Sequence, residues 1–173
     1  MRKVLFVVLV SWSSCLSAQS TGEVKNYIED LVLNYQPSDY NYGIGYADEV
    51  HKEFIEEFMP ISNIPNSKSL LLFERCSNNF NLCRINMLDL KGIRRILVLD
   101  EEDYISVRFI LREGYISKEY VKALDDTWEE DEDSNFPPMI LLNKGNIGEA
   151  KKLKKAFVYL IKEFGGIVER DFF

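Results

Sequence analysis

Few residues in this 173-residue chain have types and spacings suited to chemistry, and two of them are cysteines. Cys76 and Cys83 stand in ERCSNNFNLCRI, where two apolar arms flank a polar, Asn-rich centre. That is the pattern of a β-hairpin. A four-residue loop, Asn78 to Asn81, sets Ser77 opposite Leu82 and Cys76 opposite Cys83, close enough for a disulfide. The rival readings are a redox or metal pair and two unpaired core thiols. The pair lacks Cys-x-x-Cys spacing and a companion His cluster, which weighs against redox or metal chemistry.

The densest charge cluster is DDTWEEDEDSN, with Asp125, Asp126, Glu129, Glu130, Asp131, Glu132 and Asp133. Several carboxylates in one loop could hold Ca²⁺, which takes six to eight oxygen ligands. The alternating ligand positions and central Gly of an EF-hand loop are missing, so a solvated loop is the simpler expectation. His51 is the single histidine, and any Ser-His-Asp or Cys-His site would need it. It lies among charged residues in YADEVHKEFIEEFM, where a surface role is the ordinary one. GIGY at 43–46 follows no clear strand and does not match a phosphate-binding fingerprint. Paired carboxylates can meet in space from distant positions, so carboxylate hydrolysis is left open. No cofactor is implied.

These residues need elements to carry them. Residues 22–35 place Val24, Tyr27, Ile28, Leu31 and Val32 at helical spacing, and 46–59 place Val50, Phe54, Ile55 and Phe58 likewise. Between them, SDYNYGIGY reads as an irregular connection whose rings fold back onto the core. Strands are expected at 69–75, 82–88, 93–99, 103–111 and in MILLN after Pro137-Pro138, and a short helix over 115–128. The strongest element is 146–164: Ile147, Ala150, Leu153, Phe157, Leu160, Ile161 and Phe164 form one apolar stripe, and the lysines lie largely off it. Asn146 and Glu149 suit a capping box, and Gly165-Gly166 suit a helix stop. The stripe needs a sheet face to cover it. The expected class is therefore α+β: an antiparallel sheet capped by an amphipathic C-terminal helix, with N-terminal helices.

The first 18 residues, MRKVLFVVLVSWSSCLSA, have the order of a secretory signal: Arg2 and Lys3, an apolar Val4–Val10, then small residues up to Ala18. Cleavage there leaves a single globular domain over 19–173 in a periplasmic or secreted location. The alternative is a lipoprotein anchored through Cys15, although Trp12 stands where a Leu-like residue is usual. Residues 4–10 are far short of the roughly 20 apolar residues of a membrane-spanning helix. The chain carries 21 Lys plus Arg against 28 Asp plus Glu, a net charge of −7. Losing Arg2 and Lys3 makes it more acidic still. Such a surface repels phosphate backbones, which argues against nucleic acid as a partner.

The segments DLKGIRRI (89–96), PPMILLNKG (137–145) and EAKKLKKAFVYLIKEFGG (149–166) resemble a loose group of small exported proteins of unknown function from Bacteroidetes-type bacteria. The resemblance implies a pleckstrin-homology-like sheet with a closing helix. Tyr159 stands where members of the group often have His, and no site residues carry over. The functional expectation is an exported binding or interaction module for a protein or peptide, without evident catalysis. The alternatives are a carboxylate- or calcium-dependent hydrolase and an inhibitor or immunity-type protein.

Overall fold

The computed structural model describes residues 20–46, 70–77, 82–115, 118–122, 128–130 and 137–169. The leader with Cys15, the 46–59 helix beyond Tyr46, and His51 lie outside the described residues.

Helix α1 (Thr21–Tyr35) opens on a capping box: Ser20 Oγ accepts from the Glu23 amide at 3.2 Å, and Glu23 Oε2 accepts from the Ser20 amide at 2.7 Å. It buries Val24, Ile28, Leu31 and Val32 and ends at Gln36, whose extended backbone is what a following proline favours. The next tract is not an irregular connection. It is strand β1 (Tyr40–Tyr46), and its period-two pattern puts Tyr40, Tyr42 and Ile44 on one face and Asn41 and Gly43 on the other.

Six strands follow in pairs and singles: β2 (Leu70–Ser77), β3 (Leu82–Asp89), β4 (Ile93–Asp100), β5 (Tyr104–Leu111), β6 (Lys118–Lys122) and β7 (Trp128–Glu130). The short helix expected over 115–128 is absent from its described parts, because β6 pairs with β3 and β7 pairs with β6. Strand β8 (Met139–Asn143) and helix α2 (Ile147–Glu163) complete the order. The class is α+β, as the patterning implied, but the strands divide between two antiparallel sheets. One has the order β1-β2-β3-β6-β7 and the other β4-β5-β8. The chain changes sheet through the 3-10 turn Leu90–Gly92, capped by the Asp89 carboxylate on the Lys91 amide at 2.9 Å. Gly92 is required there, since a Cβ would come within 2.5 Å of the Tyr115 ring.

The core lies between the helices and the three-stranded sheet. Ile105, Val107 and Phe109 alternate inward on β5, joined by Ile93 and Ile96 on β4 and Ile140 and Leu142 on β8. The stripe of α2 covers them with Ala150, Leu153, Phe157, Leu160 and Ile161, and Phe157 meets Phe109 edge to face at 5.0 Å. Each such buried side chain contributes about 1.5–3 kcal/mol. Helix α1 lies beside α2, with Lys25 Nζ 5.9 Å above the Phe164 ring.

The start of α2 departs from expectation: Asn146 makes no side-chain cap and instead donates to the Asn143 carbonyl. Its end does not. Gly165, at φ 83°, donates to Lys162 and Gly166 donates to Ile161, the paired bonds of a Schellman stop. The tail then covers the edge of β4, where the Glu169 amide donates to the Arg94 carbonyl at 2.9 Å and Arg94 Nε pairs with Glu169 at 2.6 Å.

Candidate functional site

The β2–β3 hairpin has the register its residues imply, with Cys76 opposite Cys83 and Ser77 opposite Leu82. The two sulfurs form a disulfide, 2.02 Å apart. A disulfide in an oxidised hairpin settles the choice among the three readings of this pair. The Glu74 carboxylate lies within 4.8 Å of both sulfurs, but sulfurs joined to each other are not thiolate ligands. This trio therefore holds no metal while the bridge is closed.

Arg75 and Arg84 sit one residue inside the bridge, so they are opposed in register and leave by the other face of the sheet. That face is organised in rows. Leu71 and Leu88 form a buried apolar row at one end. The next row has Ile44 on β1 and, opposed across β3 and β6, Asn86 and Glu119, and then come Tyr42, Arg75, Arg84 and Val121. Pro137, Pro138 and Met139, entering β8, form the facing wall. Between the walls is a cleft of about 290 Å³, lined by both arginines, Asn86 and Glu119.

Two like charges directly opposed on a sheet repel. Here each arginine has a counterweight. Arg84 pairs with Glu119 at 2.9 Å, and both side chains are partly sheltered. The Arg75 guanidinium lies 5.6 Å from the Tyr40 ring centre and bonds the Tyr42 hydroxyl. Tyr42 is buried, and desolvation pushes its pKa up to about 12 against the opposing pull of Arg75. At neutral pH it is a phenol. Its oxygen accepts from the Leu141 amide at 2.9 Å, capping the free edge of β8 and tying the two sheets together. Gln36 adds to this seam: its side chain accepts from the Tyr42 amide at 2.8 Å, and its carbonyl accepts from Asn143 Nδ2 at 2.9 Å.

Asn86 is the exception among these polar groups. It is 6 % exposed, and among the described residues its carboxamide has no hydrogen-bond partner. A buried amide is ordinarily bonded, and leaving one unpaired costs about 1–3 kcal/mol. Among the described residues, this donor and acceptor face the cleft without a bond.

A second polar cluster lies on β5. Ser106 is fully buried; its hydroxyl donates to Glu101 at 2.8 Å and accepts from Arg108 Nε at 3.2 Å, while Arg108 pairs with Glu101 at 2.5 Å. The Ser106 hydrogen bond, and then Arg108, hold the Glu101 carboxyl below its usual range. Every member has partners and the serine is closed to solvent, so this trio braces the sheet and offers no accessible nucleophile.

The acidic cluster is only partly described. Glu129 and Glu130 belong to β7, in register with Val121 and Tyr120, while Asp125, Asp126, Asp131, Glu132 and Asp133 lie outside the described residues. The cleft residues carried no motif, yet one signal pointed to them. The Cys pairing already implied that Arg75 faces Arg84, a costly arrangement unless something anionic or aromatic attends it. No family model, curated protein or solved structure matches the chain.

Proposed function

We propose that this protein is an exported, non-enzymatic binding module that takes a protein or peptide segment in the cleft between its two sheets. The observation that carries the reading is the cleft itself: opposed arginines and a buried Asn86 without a partner among the described residues on one wall, with Pro137–Met139 on the other. Ligand sites are concave, with a few placed polar groups against an apolar lining, and this cleft lies near the lower end of their roughly 300–1,000 Å³ range. It has room for the end of a chain or one side chain. The disulfide supports export, because such bonds persist in oxidising compartments. No described helix is long and apolar enough to cross a membrane. The sequence resemblance to small exported proteins points the same way.

Thermal melting with a mixed library of N-acetylated pentapeptides tests the reading. A ligand that binds only the folded state at ten times its Kd stabilises it by about 1.4 kcal/mol. For a domain of this size that is a rise of about 3–6 °C. The rise should saturate, and it should vanish in an Arg75→Gln/Asn86→Leu double variant. No rise at millimolar peptide, or an equal rise in the double variant, would overturn the proposal.

A further inference from the structure

Resting on that reading, we infer that the cleft recognises a peptide by its C-terminal carboxylate, held by Arg75, with the adjoining amide read by Asn86. The two arginines are not equivalent. Arg84 already has a carboxylate, Glu119 at 2.9 Å, whereas the partners of Arg75 are the Tyr40 ring and the Tyr42 hydroxyl. Aromatic and phenolic contacts hold a guanidinium in place without neutralising it. Arg75 is thus a positioned cation without an acidic partner among the described residues, in a protein whose net charge is −7. A guanidinium presents a donor fork that matches a carboxylate.

Asn86 decides what accompanies that carboxylate. Its carboxamide offers an acceptor oxygen and two donor hydrogens, so its complement must donate and accept side by side. The N–H and C=O of one residue in an extended peptide point the same way and do both, whereas a bare carboxylate such as acetate leaves the acceptor oxygen unmet. The spacing also fits. Arg75 on β2 and Asn86 on β3 are diagonal neighbours, since Arg75 registers with Arg84 two residues before Asn86. Diagonal positions lie about 7–8 Å apart. Side chains converging from that separation bracket one terminal residue with its carboxylate and preceding amide. Pro137, Pro138 and Met139 supply an apolar wall for its side chain.

The test compares two mixed libraries of N-acetylated pentapeptides by calorimetric titration, one with free C-terminal carboxylates and one with C-terminal amides. The free acids should bind at least tenfold more tightly. Arg75→Gln should abolish that preference, and Asn86→Leu should weaken the free acids about tenfold. Asn86→Leu also guards against misfolding as an explanation, since replacing a buried amide that has no partner among the described residues should leave the protein at least as resistant to urea as the parent. Equal binding of acids and amides would overturn the carboxylate inference and leave the peptide-binding reading standing. Binding of neither library would overturn both. Displacement by inorganic phosphate at the concentration of the peptide would assign the site to free anions and overturn the inference. A large loss of stability in Asn86→Leu would show that Asn86 is bonded within the fold, with the same consequence.

Discussion

Replacing Tyr42 with Phe should destabilise the protein, and by an amount that shrinks as pH rises. The hydroxyl accepts from the buried Leu141 amide at 2.9 Å and anchors Arg75. Its removal leaves that amide unpaired, which costs about 1–3 kcal/mol. The parent carries an alkaline liability that the variant lacks. Burial raises the folded-state pKa of Tyr42 to about 12 from the ordinary tyrosine value of 10.0, so the folded protein holds the phenolic proton more tightly than the unfolded chain. Stability from this group is fully present below the unfolded value and is lost as pH climbs through the folded one. The linkage relation gives a loss of about 1.4 kcal/mol at pH 11, approaching about 2.7 kcal/mol above pH 12. Other tyrosines titrate in both proteins and largely cancel in the difference. Urea denaturation of parent and Tyr42→Phe at pH 8 and pH 11 measures it. The gap between them should close by about 1 kcal/mol or more over that range. A gap unchanged with pH would refute the account of Tyr42 as a buried phenol that ties β1 to β8.

Other consequences are simpler to state. Opening the disulfide, by reduction or in a Cys76→Ser/Cys83→Ser double variant, should cost about 2.5 kcal/mol by the chain-entropy relation for so short a loop, read from urea midpoints. Intact mass under denaturing, non-reducing conditions should show no thiol at Cys76 or Cys83 open to alkylation. Phe157→Ala removes the ring packed on Phe109 and should cost about 3–5 kcal/mol, with a matching fall in melting temperature. Gly165→Ala meets no steric neighbour, so its cost comes from the left-handed backbone alone, about 1 kcal/mol in the same assay.

Much of the scaffold was legible because its physics is local. The apolar stripe from Ile147 to Ile161 has one period and can bury only one face, and the two glycines that end it have no other economical use. The hairpin register followed from a polar loop centred between Cys76 and Cys83. Misreadings occurred where local preference was weak. In Tyr40–Tyr46 two glycines masked an alternation of Tyr40, Tyr42, Ile44 and Tyr46, and tyrosine suits a pleated surface. Around Lys118–Lys122 the residues suggested a short helix, and pairing with β3 decided for a strand instead. Asn146 and Glu149 had the letters of a capping box, but the true box lies at Ser20 and Glu23. The cleft was beyond local reasoning, since its lining comes from β2, β3, β6 and the approach to β8. Division of the strands between two sheets creates it, and no period in the sequence encodes that division.

The side-chain amide of Asn86 is the group on which the functional account turns, and its ¹H–¹⁵N resonances can be followed directly. On titration with the free-carboxylate pentapeptide library they should shift and saturate, together with the Arg75 Nε resonance. Saturable binding that leaves both sets of resonances unmoved would place the ligand elsewhere and contradict the account.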